Sequence, residues 1–521
     1  MNLLDCAAFA TALPSLKFHM TSEVLINVGP AETRVAFVEQ ARLSEIFLER
    51  TMEPGNGARA GRGGHRLFGN IMLGRVQRVL PGMQAAFVDL GLEKAGFLAA
   101  REARCLADLP SFMDQPCITK CVREGEAVVV QVIKDPISDK GARLSANVTL
   151  PGRLVVLVPN QSGVALSRRI EDETERARLT GILTDITAND PRAAAGAGYI
   201  VRTAALSATR DDIASDIARL GDEWRTIQAR RNMAKVPATL YHDLDPVERT
   251  MRDGVDDDTT RVLIDDAEAV ARARAYATRA MPEALDKIQL FNGPGEIFDQ
   301  YNIEAELEAL LAPRVRLPSG GWITLETTEA LTSVDVNSGS YTEATGLEQT
   351  SLKTNLEAAA EMGRQLRLRG IGGLIVIDFI HLNEPENIAQ VLTVLTESVA
   401  KDRTPTQILP MSAFGLVEMT RKRVREPLSK LFTEMCDPCH GHGRIKTVAT
   451  VAAELLRRVA REAKARPGTK LVAYAAPEIV RWIEAQGEDL LQALRKCAAA
   501  GLRFEARPQF ARANFDVGAE Q

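Results

Sequence analysis

From Ser22 onward, "SEVLINVGPAETRVAFVEQARLSEIFLER" alternates apolar and polar positions and breaks at turn residues, which predicts a strand-turn-strand unit. Between Asn70 and Ser145 the apolar runs are short: "NIMLGRVQRVL", "QAAFVDLG", "KAGFLAA" and "EAVVVQVIKD". Short strands closed by glycine-containing turns predict a small β-barrel. Further on, "GRLVVLVP" and "AGYIVRTAA" read as strands, while "EDETERARLTGIL", the run from Arg210 to Asn232 and "DDAEAVARARAYATRAM" read as helices. Between Arg314 and Ile408 the strands "WITLETT", "ALTSVDVN" and "GLIVIDFI" are separated by the helix "SLKTNLEAAAEMGRQLRLR". A strand, a long helix and a second buried strand make a crossover unit, so the two strands are expected to be near neighbours in one sheet. Beyond Arg444 the chain turns to Ala/Arg-rich helix.

The chain has 521 residues, 45% of them hydrophobic. Length of this order suggests about three or four domains. No apolar run approaches the roughly eighteen residues of a membrane span, and residues 1–19 carry neither a basic leader nor a clear cleavage site, so a cytoplasmic protein is expected. Those residues have no pattern, and Met20 is a plausible alternative start. Residues 53–65 are Gly/Arg-rich and predict a flexible loop. The net charge of −5 argues against a uniformly basic nucleic-acid coat, yet it hides basic clusters at Arg59–Arg66, Arg364–Gly370 and Arg421–Glu426. Runs of this kind are taken as solvated surface. Seven cysteines without a secretion signal suit reduced thiols or metal ligands.

Two places carry candidate chemistry. Asp335 and Asp378 each close an apolar strand, with Asn337 two positions on and pointing to the same side as Asp335. An aspartate closing a strand is commonly a turn-former or helix cap. As a pair at the strand ends of one sheet, they can instead converge on a hard cation, and oxygen ligands favour Mg²⁺ or Mn²⁺. The second place is "CDPCHGHG", where Cys436 and Cys439 offer two of the four ligands of a zinc site. The pair could also be redox-active or incidental. Its completion could come from Cys117 and Cys121, from His440 and His442, or from the same turn of a second subunit.

"LTSVDVNSGSY", "TNLEAAAEMGRQLRLRGIGGLIVIDFI", "FGLVEMTRKR" and the double-cysteine turn, in that order and spacing, resemble the bacterial ribonuclease E/G family of endoribonucleases. The resemblance runs from about Thr21 to the cysteine turn and beyond. It implies an α/β multidomain fold in which an S1/OB-type β-barrel (66–146) is inserted in an RNase H-like domain. That domain's two parts would be 20–65, including the Gly/Arg-rich loop, and 247–311. The expected remainder is a 5′-sensor region (147–246), a DNase I-like α/β catalytic domain (312–430), a zinc-link (431–443) and a small C-terminal domain (444–521), with residues 1–19 as an extension or misassigned start.

By the same resemblance, Asp335 and Asp378 bind a catalytic Mg²⁺, and Asn337 orients an aspartate or the scissile phosphate. Phe87 and Phe97 are the RNA-stacking positions of the S1 barrel, with Lys140 as its RNA-contacting lysine. Arg202 and Thr203, with Gly152 and Val156, form a pocket for a 5′-monophosphate; Arg168 and Arg169 match further arginines of that region. One basic residue of the family's pocket falls on Pro405, which has neither charge nor donor, and neighbouring Arg403 could substitute. Cys436 and Cys439 of two subunits share one structural Zn²⁺, giving a homodimer that pairs into a homotetramer. The implied activity is Mg²⁺-dependent cleavage of single-stranded RNA in ribosomal RNA maturation and mRNA decay, leaving 5′-phosphate and 3′-hydroxyl ends. The readings from other classes are a catalytically silent S1-type RNA-binding protein and a phosphate-dependent 3′-exonuclease carrying an S1 domain.

Overall fold

The computed structural model describes residues 22–50, 67–107, 117–136, 141–191, 193–194, 196–206, 208–339, 346–400, 402, 404–439, 441–486 and 500–520. Two compact units divide the chain after Arg425. Among the described residues no helix is long and apolar enough to cross a membrane.

The first unit opens with three antiparallel strands, β1 (Ser22–Val28), β2 (Glu32–Glu39) and β3 (Arg42–Arg50), one more than the strand-turn-strand expectation. Gln40 and Ala41 both hold positive φ, the backbone of a type I′ turn, which matches the twist of a two-residue hairpin. A closed barrel follows from β4 (Ile71–Leu80), β5 (Ala85–Asp89), β6 (Gly96–Ala99), β7 (Ala127–Lys134) and β8 (Arg143–Ser145), because β4 pairs with both β5 and β7. The short helix α1 (Ile118–Cys121) puts Cys121 into the barrel core, where burial raises its thiol pKa.

Next come β9 (Leu150–Pro151), β10 (Val155–Val158), β11 (Gly163–Leu166), α2 (Glu173–Asn189), β12 (Gly198–Val201) and α3 (Arg210–Met233), which share one hydrophobic core. Strand β13 (Ala238–Tyr241) pairs back onto β4. Helix α4 (Pro246–Gly254), β14 (Thr259–Ile264), α5 (Ala267–Ala280) and β15 (Ile288–Leu290) then return to the first sheet. Its order is β15-β14-β1-β2-β3, so everything from β4 to β13 is inserted between neighbours of that sheet in the chain.

After α6 (Ile297–Gln300) and α7 (Ile303–Leu311) comes a six-stranded sheet. It uses β16 (Arg314–Arg316), β17 (Trp322–Thr327), β18 (Leu331–Asn337), β19 (Gly373–Asp378), β20 (Thr406–Ile408) and β21 (Leu416–Arg421), in the order 16-17-18-19-21-20. Helix α8 (Leu347–Arg369) is the crossover that makes β18 and β19 parallel neighbours, and α9 (Pro385–Ala400) packs beside it. The two helices approach so closely that a Cβ on Gly363 would lie 2.3 Å from the Ser398 carbonyl oxygen. Only a glycine fits there.

The basic cluster at 364–370 is not solvated surface, and in 421–426 Arg421 is buried and Arg425 half-buried while Lys422, Arg423 and Glu426 stay exposed. Arg367 is 8% exposed and Arg421 4%. The helical period turns Arg364 and Arg367 toward Glu306, Glu361 and Glu39, and the strand alternation turns Arg421 inward onto Asp402 at 2.6 Å. Charge at this spacing on an element with two covered faces becomes buried ion-pair structure.

The second unit holds α10 (Leu428–Phe432), the cysteine turn, α11 (Val448–Ala465), β22 (Leu471–Ala475), α12 (Pro477–Glu484), β23 (Leu502–Ala506) and β24 (Phe515–Ala519). Helices α11 and α12 cover a three-stranded sheet of order 23-22-24.

Candidate active site

The alternation of β18 sends Thr332, Val334 and Val336 into the core under α8 and leaves Ser333, Asp335 and Asn337 on the opposite, open face. Strand β19 does the same with Ile375 and Ile377 inside and Asp378 exposed. The parallel register pairs Asp335 with Asp378. Neighbouring strands lie about 4.8 Å apart, so two carboxylates stand side by side at the strand ends. Asn337 donates from Nδ2 to Asp335 Oδ2 at 2.8 Å. Among the described residues neither aspartate has an ion-pair partner. Like charges directly abreast on one sheet face repel, and both carboxylates are open to solvent.

Several side chains that the sequence does not flag hold this edge in place. Asn355 of α8, fully buried, clamps the backbone two residues beyond Asp378: its Nδ2 donates to the Ile380 carbonyl at 2.7 Å and the Ile380 N–H returns to its Oδ1 at 3.0 Å. Glu348, in the first turn of α8, accepts from Asn387 Nδ2 at 2.9 Å and from Asn383 Nδ2 at 3.0 Å. Those side-chain donors, with the Asn383 and Glu384 amides, pull its pKa down to about 2. A polar residue on the apolar face of a helix was the available signal for Asn355; nothing in the sequence marks Glu348.

The donor chemistry fits a hard cation. It consists of two carboxylates and an amide, oxygen-rich and open on one side for water and phosphate, the arrangement Mg²⁺ takes when it is held by one or two carboxylates. Among the described residues no group of three or more His, Cys, Asp or Glu could hold a metal.

On the barrel, Phe87 and Phe97 are cross-strand partners, half-buried, with ring centroids 5.9 Å apart in an edge-to-face arrangement. Register extends that row in both directions: Arg78 opposes Phe87, Arg143 opposes Phe97, and Lys134 opposes Arg143. Cross-strand partners share a face, so an aromatic pair is flanked by cations on both sides. Sequence reading found the rings and missed Arg78, Arg143 and Lys134, because register is not visible in a single strand. Lys140 lies outside the described residues.

Arg202 follows β12 and donates from Nη1 to the Gly152 carbonyl at 2.5 Å and from Nη2 to Asp253 Oδ1 at 2.8 Å. Asp253, on α4, also takes Arg252 at 2.8 Å. Burial would raise the Asp253 pKa, but hydrogen bonds and charge from Arg252 and Arg202 outweigh it and hold the carboxyl below its ordinary value. The Thr203 hydroxyl has no partner among the described residues. Gly152 is closely approached by Asp216, which accepts the Leu154 and Val155 amides; the Gly152 amide itself is used by Val155. Val156 pairs with Ile200 one strand over. Strands β11 and β12 run parallel with Leu166 opposite Val201, so Arg168 and Arg169 leave the sheet beside Arg202 and Thr203. Arg169 Nη2 reaches the Asp402 carbonyl at 3.3 Å, close in sequence to Pro405, whose carbonyl accepts the Lys422 amide. Arg403 lies outside the described residues.

In the second unit the His442 amide donates to the Cys439 carbonyl at 2.9 Å, folding the cysteine turn back on itself. The Cys439 thiol is held below its usual pKa by the Gly443 amide first and Cys436 next. Cys436 is exposed. His440 lies outside the described residues; Cys117 caps the start of α1 and Cys121 ends it, and the Cys121 thiol donates to the Cys117 carbonyl at 3.5 Å.

Residues 149–424 match the Ribonuclease E/G family. "Ribonuclease G" of Salmonella typhimurium (strain SL1344) is 37% identical over 503 residues, covering 96% of this chain and 99% of that protein. "Ribonuclease G" of Haemophilus influenzae is 37% identical over 501 residues, 95% of this chain and 99% of that one. "Ribonuclease E" of a Nostoc species is 38% identical over 415 residues, 79% of this chain and 58% of that protein. With a family match through the candidate site and relatives aligned almost end to end, the chain belongs to the ribonuclease E/G family.

Proposed function

We propose that this endoribonuclease cleaves single-stranded RNA internally at the Asp335–Asp378 edge with Mg²⁺, yielding 5′-phosphate and 3′-hydroxyl ends. The observation that carries the reading is the in-register pair of carboxylates with no cation partner among the described residues. In this reading the six-stranded sheet and its helices are a DNase I-like catalytic domain, the β15-β14-β1-β2-β3 sheet is RNase H-like, and the inserted barrel is an S1 domain. Mg²⁺ bound there supplies charge neutralisation at the phosphoryl group and a water acidified for attack. The chain's own contribution is placement: Asp335 and Asp378 present oxygens from one rigid edge, Asn337 fixes the Asp335 carboxylate, and Asn355 fixes the strand end that carries Asp378.

The barrel row selects single strands. Bases unstacked from a duplex can lie on Phe87 and Phe97, each contributing on the order of 1–3 kcal/mol with little sequence preference. Arg78, Arg143 and Lys134, with Lys140, take the backbone phosphates. A preference for 5′-monophosphorylated RNA follows from Arg202. Two of its five N–H groups are engaged by Gly152 and Asp253, which orients the guanidinium while leaving donors for a phosphate. Thr203 adds a hydroxyl with no partner among the described residues, and Arg169, whose Nη2 reaches the Asp402 carbonyl, brings a cation near the uncharged Pro405. The tasks that suit such an enzyme are ribosomal RNA end maturation and mRNA turnover in the cytoplasm.

Cys436 and Cys439 supply half of a tetrahedral zinc site. A second copy of the same turn completes it across a two-fold axis, so zinc is a structural element of a homodimer, and dimers pair into a tetramer.

Asp335→Asn and Asp378→Asn each lower cleavage by at least about a hundredfold, the loss expected when several kcal/mol of charge stabilisation disappear, while RNA affinity in metal-free buffer is kept. The assay is Mg²⁺-dependent cleavage of a circular single-stranded RNA with product ends mapped. Full turnover in either variant contradicts the site, and binding without any wild-type cleavage supports the silent RNA-binding reading instead. For the 5′ end, wild type cleaves a 5′-phosphorylated oligonucleotide faster than its 5′-hydroxyl twin by about ten- to a hundredfold, the worth of one or two charge-assisted hydrogen bonds, and Arg202→Gln brings the ratio to one. Equal wild-type rates remove the phosphate pocket. Metal analysis with sedimentation tests the cysteine turn: one zinc per two chains is expected, and Cys436→Ser loses both zinc and dimer. A Cys436→Ser protein that keeps both contradicts the shared site.

A further inference from the structure

The tip of the β2–β3 hairpin, the start of β17's leading segment and the C-terminal half of α8 enclose a cavity of about 590 Å³. None of Asp335, Asn337, Asp378 or Arg202 lines it. Its walls carry four arginines, Arg42, Arg316, Arg364 and Arg367, against three glutamates. The glutamates are already committed. Glu361 accepts Arg42 at 3.1 Å and lies 3.5 Å from Arg364 Nε, Glu39 lies 3.5 Å from Arg367, and Glu357 accepts the Ser319 amide at 2.9 Å.

The arginines have more donors than these acceptors use. Among the described residues Arg364 Nε and Nη1 and Arg367 Nε are buried without a hydrogen-bond acceptor, and Arg367 as a whole is only 8% exposed. The Arg316 guanidinium, exposed at the rim, has no partner among the described residues. Burial, then the neighbouring Arg42 and Arg367 charges, push the Arg364 pKa below its ordinary value against the pull of Glu361 and Glu306. Buried N–H donors left unmade cost about 1–3 kcal/mol each, and native proteins keep such groups where something else satisfies them.

We propose that this cavity is a phosphate-binding site, with Arg42 and Arg316 at its mouth and Arg364 and Arg367 at its base. Planar guanidinium forks match phosphate oxygens two at a time, and four around one volume suit linked phosphates better than a lone carboxylate. Linked phosphates reach the site either on a free nucleotide or as successive groups of an RNA backbone.

Equilibrium dialysis of the full-length protein against labelled inorganic pyrophosphate, in EDTA to keep the aspartate edge out of the measurement, tests the site. The expected result is saturable binding that Arg42→Ala with Arg316→Ala weakens at least tenfold, that Arg316→Glu also weakens, and that Asp378→Asn and Arg202→Gln leave intact. Both mouth arginines are exposed, and an unchanged melting temperature confirms that the variants fold. Absence of saturable binding, binding indifferent to the mouth substitutions, or binding lost in Arg202→Gln alone overturns the proposal. A second arm identifies the source. If the phosphates belong to RNA, the double variant lowers the slope of log affinity against log salt by about one to two for a single-stranded RNA, and pyrophosphate competes; if they belong to a free nucleotide, RNA binding is unchanged while pyrophosphate binding is lost.

Discussion

The arrangement of the six-stranded sheet depends on one constraint: α8 returns the chain so that β19 lies parallel to β18 with Asp335 opposite Asp378. A crossover helix is the ordinary way to join parallel neighbours, and here its own residues complete the work. Gly363 lets α9 close against it, Asn355 ties down the backbone past Asp378, and Glu348 pins the segment that follows. The helix is at once a connector, a wall of the core and a jig for the edge that carries the charges. Two abreast carboxylates are an unfavourable feature of a protein considered alone. They are a favourable one as soon as a dication shares them, which is why the reading of this edge turns on metal.

Charge is handled differently elsewhere in the same unit. Arg421 with Asp402 is an ion pair drawn inside and satisfied by several hydrogen bonds, while Arg252 is buried against the partly exposed Asp253. Removing one partner from such a pair costs about 3–5 kcal/mol because the other is left buried and uncompensated. Arg202 stands at the border of that network, tied to Asp253 but still partly exposed, so the element read as a phosphate sensor is mounted on a rigid ionic frame. The arginine-lined cavity under the β2–β3 hairpin is the contrasting case, with donors that acceptors among the described residues leave over.

Much of this was legible in the sequence, for identifiable reasons. The strands around Asp335 and Asp378 are apolar runs too short for helices, and the helix between them is long and continuous, so their adjacency followed. The barrel likewise announced itself through short strands and glycine turns. What the sequence did not reveal depends on register and on faces. Arg78, Arg143 and Lys134 join Phe87 and Phe97 only once five strands are aligned, and they are scattered over nearly the whole barrel. Arg364 and Arg367 look like surface charge until α8 is covered on both sides. Asp253 is remote in the chain from Arg202 and has no pattern to link them. The cysteine turn is the opposite case, plain in sequence and left by one chain as a pair of thiols.

The central claim is that Asp335 and Asp378 act as one cation site. Manganese binding to RNA-free protein, followed by the loss of the free-ion electron paramagnetic resonance signal, measures this without any turnover. Wild type is predicted to hold one Mn²⁺ that Mg²⁺ displaces, with affinity falling at least about tenfold in both Asp335→Asn and Asp378→Asn, the range seen when a ligand sphere is disturbed. Mn²⁺ binding that is unchanged in either variant would contradict it.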